Sequence, residues 1–401
     1  MDAFVLSGLG PVDIALELSN LPVMLMWLFL AMYLARANNV VASILFLHFG
    51  LVFLTSQEFI LSKFSDQTHY SMAAMYYRTG VTSELYFDIK HLPGLLFAIF
   101  PIPSIRSVES ASMVNVMYYV LLYVFLVKKK ILIGRAQWFY LLYPSLMFYS
   151  SMALRDGIVM ICMVLGVYFF QKKRYILAGL AHFPLAALKF QNFLIFAVAV
   201  MFFMITSPRL NIFYRVLMVG FVFFAASHFA DLMTIDEINR YRRWMYFENH
   251  NESLEGYIPI ESYQDIVVIG LLSAPYMIMK PFPWEAANAF QFFQSIENIF
   301  IDIFIIFSVY HSIKNKHIRG NMWFLNLYFF TGMCIYGLVT DNFGTAARYR
   351  YPFVTFYLVY FFYYFEMYKI KIRMDRMRAY WEWCMSCWQQ QVRPLASREV
   401  V

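Results

Sequence analysis

Long apolar segments recur from one end of this chain to the other, and they restrict its possible folds more than any other feature. Each is about 17 to 25 residues long, the length that a helix needs to cross a bilayer. A segment in lipid must satisfy its own backbone hydrogen bonds, and a helix does so. Hydrophobic residues make up 61% of the chain and charged residues 14%, which excludes an ordinary soluble domain. The sequence therefore predicts an all-α, polytopic integral membrane protein without a separate soluble domain.

Basic clusters orient the predicted helices in the bilayer. The most concentrated ones lie at 128–130, 172–174, 314–319 and 369–378. Placing all four in the cytoplasm, by the positive-inside rule, gives about 11 transmembrane helices with the N-terminus outside and the C-terminus inside. The predicted spans are 14–35, 40–60, 109–127, 136–153, 156–171, 175–189, 191–206, 212–230, 288–311, 321–339 and 352–368.

The remaining apolar pieces, 91–103 and 264–283, are predicted to be re-entrant or interfacial, because a further crossing would move two basic clusters outside. A polytopic membrane domain then covers 1–368, with two larger outer segments at 61–108 and 231–287. Residues 369–401 form a basic amphipathic cytoplasmic tail, suited to anionic lipid or to a protein partner. The first 20 residues lack a basic cluster, so we expect no cleaved signal peptide.

Several charged residues lie on the outer side, where the positive-inside rule does not predict them. The stretch SSMALRDG, at 150–157, places Arg155 and Asp156 between two apolar runs. Ionisable residues at membrane depth are costly and indicate function. Guanidinium and ammonium groups near the lipid surface suit phosphate or pyrophosphate, as held on a lipid carrier. The outer cations are Arg155, Lys189, Arg240, Arg242, Arg243, Lys280, Arg348 and Arg350.

We expect four of these arginines to converge on one outer cavity, because they share a side of the membrane and a depth. They are Arg155, Arg240, Arg243 and Arg348. The net charge of +7 is therefore attributed to phosphate at the membrane, and no nucleic-acid partner is expected.

Outer carboxylates and a histidine supply candidates for a general base. A glycosyl transfer needs a base near the acceptor hydroxyl and stabilisation of the departing phosphate. The candidates are Asp66, Asp156, Glu285, Asp341 and His69, and the sequence does not rank them. Each could instead be a solvated loop residue or an ion-pair partner, and Asp156 could cap a helix.

Aromatic residues are frequent in the same outer segments and are typical of sugar sites. The candidates for glycan binding are Tyr70, Trp244, Trp284 and Tyr349, together with the polar Gln191. Tyrosine and tryptophan also populate the interfacial belts of membrane proteins, so both interpretations stay open for each aromatic side chain.

Four motifs occur in an order that resembles a family of polysaccharide-assembly proteins. They are YPSLMFYSSMALRDG, LKFQN, KPFPWEAANAFQFFQSIEN and NFGTAARYRYPFVTFYL. Together they are similar to the bacterial Wzy-type O-antigen and capsule repeat-unit polymerases and to related membrane proteins of the GT-C glycosyltransferase architecture. The family commonly has Arg-Pro-Gln where this chain has Lys189, Phe190 and Gln191.

This resemblance implies a GT-C-like fold and a polymerase of the bacterial inner membrane that acts on its periplasmic face. The donor would be an undecaprenyl-pyrophosphate-linked glycan, transferred to the terminal sugar of another lipid-linked repeat unit. Outer arginines would hold the pyrophosphate, no cofactor would be needed, and a chain-length regulator or a flippase of the pathway could be a partner. The bilayer itself is the other expected partner.

Two alternatives remain. A polyprenyl-phosphate-dependent transferase that adds single sugars, with Asp66 as base, shares the same topology and charge pattern. A lipid-linked glycan transporter is less favoured, because it predicts an internal repeat and charges along the middle of several spans. A metal site is not predicted: the chain has no HExxH motif, and its one CxxC pair, Cys384 and Cys387, has no second pair.

Overall fold

The computed structural model describes residues 11–57, 60, 64–80, 91–206, 212–213, 215–216, 220, 234–249, 257–286, 288–340 and 342–396. Within these ranges the regular structure is helical and contains no strand, which confirms the all-α class. The α helices are α1 Pro11–Ala35, α2 Asn39–Gly50, α3 Val52–Thr55, α4 Asp66–Thr79, α5 Leu92–Ala98, α6 Val108–Lys128, α7 Arg135–Leu142, α8 Pro144–Ser150, α9 Asp156–Gln171, α10 Tyr175–His182, α11 Leu185–Leu188, α12 Phe190–Thr206, α13 Ile235–Asn249, α14 Tyr263–Met279, α15 Ala289–Lys314, α16 Lys316–Val339 and α17 Phe343–Ala396. A 3-10 turn spans Pro283–Glu285.

Four helices in the described part of the chain are long and apolar enough to cross a membrane. They lie at Ala15–Ala35 within α1, and at Val108–Lys128, Ala289–Lys314 and Lys316–Val339, which are α6, α15 and α16. Five further apolar helices of 10–17 residues lie at Asn39–Thr55, Asp156–Gln171, Tyr175–Leu188, Phe190–Thr206 and Tyr263–Met279. The chain is therefore a membrane protein with at least these four candidate spans. Most of the predicted span 212–230 lies outside the described residues.

Two predicted spans are interrupted. The segment 136–153 consists of α7 and α8, because Pro144 begins a new helix after the extended Tyr143. The segment 175–189 consists of α10 and the short α11, whose N-terminal flank is Pro184. Proline lacks the backbone N–H that would continue a helix. It also disfavours helical geometry in the residue before it, as the extended Tyr143 shows, whereas Phe183 before Pro184 stays helical. Both predicted helices were therefore wrong in their continuity.

The helix α17 organises the bundle. It is a single helix of 54 residues that includes both the predicted span 352–368 and most of the predicted tail. Its apolar half packs against α7, α8, α9, α15 and α16. Several tyrosines of this half are buried, and hydrogen bonds or ring contacts hold them. Tyr357, for example, donates to Asn326 Oδ1 (2.9 Å) and its ring stacks on Phe329 at 4.5 Å between ring centroids.

The closest packing between neighbouring helices is at Gly166 of α9. A Cβ added there would lie 1.7 Å from Nδ1 of His182 in α10. The His182 ring is itself buried and stacks on Phe196 of α12 at 3.4 Å between ring centroids. The absence of a side chain at Gly166 therefore lets α9 and α10 approach each other. Gly179 lies on the same pair of helices, but a Cβ there would meet nothing within 4 Å.

We predict that Gly166→Ala lowers the apparent melting temperature of the purified protein, by an amount equivalent to about 1–3 kcal/mol, since the added methyl overpacks a rigid interface. The matched variant Gly179→Ala should be neutral or stabilise by up to about 1 kcal/mol, because alanine favours helix over glycine. Thermal unfolding of both variants in the same detergent tests this. Equal melting temperatures for the two variants would contradict the packing described for α9 and α10.

Candidate functional site

A buried non-helical strap, residues 151–155, separates α8 from α9; it ends at Arg155 and leads directly into Asp156 and Gly157 at one end of the bundle. Backbone groups away from water need hydrogen-bond partners, and side chains of three other helices supply them here. The bonds run from Thr55 Oγ1 to the Ser151 carbonyl (2.8 Å), from Asn115 Nδ2 to the Met152 carbonyl (2.6 Å) and from the Ala153 amide to Gln67 Oε1 (3.1 Å). The strap is therefore held in one position by α3, α4 and α6.

Asp156 begins α9 immediately after the strap, and its side chain is only 1% exposed. Its two carboxylate oxygens bind different cations. Oδ1 accepts from Lys189 Nζ at 3.1 Å, and Oδ2 accepts from Arg348 Nε. Lys189 lies between α11 and α12, and Arg348 lies in the second turn of α17. One carboxylate thus connects three parts of the bundle that are distant in the sequence.

Arg348 also reaches the rim of this site. Its Nη2 donates to Oδ2 of Asp66 at 2.9 Å, so the guanidinium is shared between two carboxylates. The side chain of Asp66 is 43% exposed, whereas that of Arg348 is 13% exposed. Asp66 begins α4 and lies at the boundary between the buried cluster and solvent.

Arg155 adds a third cation to the cluster. Its Nη1 donates to the Leu188 carbonyl at 3.1 Å. Its Nε is buried and has no hydrogen-bond partner within the described part of the chain. The guanidinium lies within electrostatic reach of Tyr70, Asp156 and Arg348. An unused buried donor of a cation is costly, and a bound anion would satisfy it.

Aromatic rings complete one wall of the site. Nζ of Lys189 lies 3.6 Å from the ring centroid of Tyr349 and 5.4 Å from that of Tyr336. A cation over an aromatic face at these distances is attracted by the ring electrons. The hydroxyl of Tyr336 donates to Asn192 Oδ1, which positions the ring. Lys189 therefore keeps its charge in a buried place through Asp156 and two tyrosines.

The charge of this cluster is positive. Three cations, Arg155, Lys189 and Arg348, face two carboxylates, Asp156 and Asp66, which leaves one unbalanced positive charge. Buried charges are normally paired, so an excess cation at a buried site favours an anionic ligand. We call these five residues the cationic cluster.

The structure places Arg350 at a different location. Its side chain points to the end of α14, where Nη1 donates to the Met277 carbonyl at 3.0 Å and to the Lys280 carbonyl at 3.2 Å. Nη2 donates to Asn298 Oδ1. The residue is 3% exposed, so Arg350 holds helix ends together. Its donors point at protein carbonyls and an amide, which accounts for its burial without a ligand.

The arginines of α13 lie outside the cationic cluster. Arg240 pairs with Glu237 one turn away, and its side chain is 76% exposed. Arg242 donates to the Leu338 carbonyl at 2.9 Å, and the exposed Arg243 lies 5.9 Å from the ring centroid of Tyr257. Trp244 is exposed on the same helix. Of the four arginines predicted to converge, the structure brings Arg155 and Arg348 together, whereas the contacts described for Arg240 and Arg243 are with Glu237 and Tyr257.

Lys280 and Glu285 pair with each other at 2.8 Å beside the 3-10 turn. The hydrogen bond from Lys280 holds the pKa of Glu285 below its usual range. Lys280 also lines a separate cavity of about 630 Å³ between α14, α16 and the start of α17. Trp284 is 79% exposed.

The other sequence candidates divide between the rim and the surface. Tyr70 is buried in α4 near Arg155. His69 and Gln191 are exposed. Asp341 lies outside the described residues. Of the candidate carboxylates that the structure describes, Asp66 alone both pairs with Arg348 and reaches solvent.

Sequence reasoning missed the residues that support the site. Asn115 and Gln67 hold the strap, and Gly157 lies against Asn115, where a Cβ would be 2.3 Å from Oδ1. Asn115 lies within a mostly apolar span, and this single amide is the signal that could have indicated it. Asn192, three residues after Lys189, gave no comparable signal.

No group of three or more His, Cys, Asp or Glu side chains arranged to hold a metal ion occurs among the described residues. Comparisons of the chain with protein-family models, with curated proteins and with solved structures find no match.

We predict that Lys189→Met destabilises the protein by about 3 kcal/mol, because it leaves the buried Asp156 with one cation in place of two. Adding Asp156→Asn should recover part of that loss by removing the uncompensated charge. The measurement is the apparent melting temperature of the single and double variants. The control is Lys280→Met, which breaks a partly exposed pair and should cost less than about 1 kcal/mol. A cost as large for Lys280→Met as for Lys189→Met would contradict the assignment.

Proposed function

We propose that this protein is a membrane glycosyltransferase that polymerises undecaprenyl-pyrophosphate-linked oligosaccharide repeat units, as the Wzy-type polymerases of O-antigen, capsule or exopolysaccharide do. The observation that carries the proposal is the cationic cluster, with its unbalanced positive charge and the unused Nε of Arg155. Pyrophosphate on a lipid carrier combines negative charge with a headgroup held at the membrane surface. A buried cluster at the end of a membrane bundle suits that ligand.

In this proposal Arg155 and Arg348 bind the pyrophosphate of the donor. The bond between the anomeric carbon of the reducing-end sugar and the phosphate oxygen breaks, and the pyrophosphate leaves with the electron pair. The hydroxyl oxygen of the acceptor's terminal sugar forms the new bond, and its proton passes to a base. Fixed guanidinium groups stabilise the charge that develops on the leaving oxygen.

Asp66 is the base that the geometry favours. Asp156 is held by Lys189 and Arg348 and is almost completely buried, so no acceptor reaches it. Asp66 is partly exposed and contacts the same arginine. When pyrophosphate binds Arg348, it competes with Asp66 for the guanidinium and makes the carboxylate available to the acceptor hydroxyl. The role of Asp156 is then to position Arg348 and Lys189.

The membrane topology is part of the same proposal. We place the protein in the bacterial inner membrane with about 11 crossings and a GT-C-like arrangement, the N-terminus in the periplasm and the tail in the cytoplasm. The four long apolar helices and the five shorter ones support part of this count. The cationic cluster would then face the periplasm. A chain-length regulator or a flippase of the same pathway would be a natural partner.

A second candidate is a transferase that adds single sugars from a polyprenyl-monophosphate donor. Asp66, at the start of α4 and beside Arg348, is placed to serve as its base. Both candidates use the same base and differ in the donor and in the length of the product.

We predict that the purified protein in lipid, given undecaprenyl-pyrophosphate-linked repeat units, produces a ladder of lengths on a gel. Arg155→Ala should lower the rate by about 100-fold, because the guanidinium stabilises the leaving group. Asp66→Asn should lower the rate by about 100-fold through loss of the base. Arg240→Ala is the matched control and should keep the ladder, since Arg240 is exposed and pairs only with Glu237 among the described residues.

Melting temperatures of the variants separate a catalytic loss from misfolding. Arg155 is the better probe than Arg348 for this purpose, because its described hydrogen bond is to one carbonyl and not to the buried carboxylate. A single added sugar from a polyprenyl-monophosphate donor, without a ladder, would replace the polymerase with the second candidate. Full activity of Arg155→Ala would refute the role of the cationic cluster.

A further inference from the structure

The last part of α17 projects beyond the bundle with an unpartnered apolar face. A rise of 1.5 Å per residue places Met367 about 28 Å from Arg348 along the helix, close to the thickness of the hydrocarbon core. The cationic cluster and the projecting part therefore lie at opposite surfaces of the membrane. Past Glu366, which pairs with Arg135 at 3.5 Å, most side chains of α17 up to Cys387 are exposed.

Most of the exposed apolar residues follow the spacing of a coiled coil, whereas Tyr380, Trp383 and Met385 lie off it. Those that follow it alternate at three and four residues along the helix, which is the seam of a heptad repeat. We call this set the apolar seam: Met367, Ile370, Met374, Met377, Trp381 and Cys384. The first five are between 44% and 67% exposed. A seam of this kind is normally covered by a second helix, whose side chains fit between these residues.

Beyond Glu366, which pairs with Arg135, the charged residues that flank the apolar seam are all basic. They are Lys371, Arg373 and Arg378, and the two nearby acidic residues, Asp375 and Glu382, lie away from the seam. Flanking charges decide which helix pairs with which. In a parallel pair of two copies of this chain, Arg373 would face Arg378 of the other copy. Like charges oppose such a pair, so a second copy is disfavoured.

The shape of α17 also disfavours a membrane-surface role for this part. An interfacial helix lies in the plane of the bilayer, whereas α17 continues from its buried half into the tail as one helix. No glycine or proline occurs from 353 to 393, and sharp bends almost always need such a residue or an insertion into the hydrogen-bond ladder. The tail thus extends away from the membrane for at least about 25 Å along the apolar seam.

We propose that the apolar seam of α17 is a docking site for a helical partner protein whose own apolar seam is flanked by acidic residues. Lys371, Arg373 and Arg378 select the partner by charge, and the methionines and Trp381 supply the buried contact. This proposal is independent of the catalytic function proposed above. It concerns the surface of the membrane opposite the cationic cluster.

The test uses the full-length protein in nanodiscs of zwitterionic lipid and two labelled synthetic helices of four heptads. Both carry leucine at the seam; one has glutamate and the other lysine at the flanking positions. Fluorescence anisotropy should show that the acidic-flanked helix binds at least about tenfold more tightly than the lysine-flanked one. Met374→Glu together with Met377→Glu should abolish binding, because charges would enter the apolar contact.

A matched pair of charge reversals distinguishes docking from general attraction. Arg378→Glu changes a flanking position and should weaken the binding of the acidic-flanked helix by about tenfold. Arg376→Glu makes the same change in net charge away from the seam and should leave binding unchanged. Equal effects of the two variants, or equal binding of the two synthetic helices, would overturn the proposal.

Two further outcomes would also overturn it. In the first, the protein outside nanodiscs forms a stable dimer, and Met374→Glu together with Met377→Glu dissociates it. This result would assign the apolar seam to a second copy. In the second, neither synthetic helix binds, and Trp381 is protected from aqueous quenchers only in anionic nanodiscs. This result would assign the apolar seam to the membrane surface. Transfer activity is not the readout, so failure here leaves the proposed function standing.

Discussion

The ion pairs of Asp156 hold one end of the bundle together. A buried carboxylate without partners would be too costly to keep charged, and Lys189 and Arg348 make it tolerable. Because these cations come from the α11–α12 junction and from α17, the charge requirement brings three distant segments together. The site and the local fold therefore depend on the same interaction. Pairing alone does not explain Arg155, whose buried Nε lacks a partner in the described residues.

The strap at 151–155 is the structural condition for this arrangement. Non-helical backbone is tolerated at membrane depth only where protein groups satisfy it, and Thr55, Gln67 and Asn115 do so. Had α8 continued into α9 as one helix, Asp156 would not begin a helix against the ends of α4 and α17. The break between the predicted spans 136–153 and 156–171 thus gives the bundle a charged site at a defined place.

The helix α17 links the two ends of the molecule. Its second turn carries Arg348, its middle is the most buried part of the bundle, and its end is exposed. Six tyrosines between 351 and 368 lower the hydropathy of the middle, so α17 is not among the four helices selected by length and apolarity. Tyrosine is acceptable there because its ring packs, and the hydroxyl of Tyr357 also finds a partner in Asn326.

The sequence by itself determined the all-α class and the membrane environment, since apolar length and composition decide both without reference to contacts. It also singled out Arg155, Asp156, Lys189 and Arg348, because charges between apolar runs are conspicuous. Only the tertiary structure decided which of these meet. Arg348 and Arg350 are two residues apart and look equivalent in sequence, yet one binds Asp156 and the other binds the end of α14. On one helix, residues two apart point about 200° away from each other, so the neighbours of α17 assign their roles.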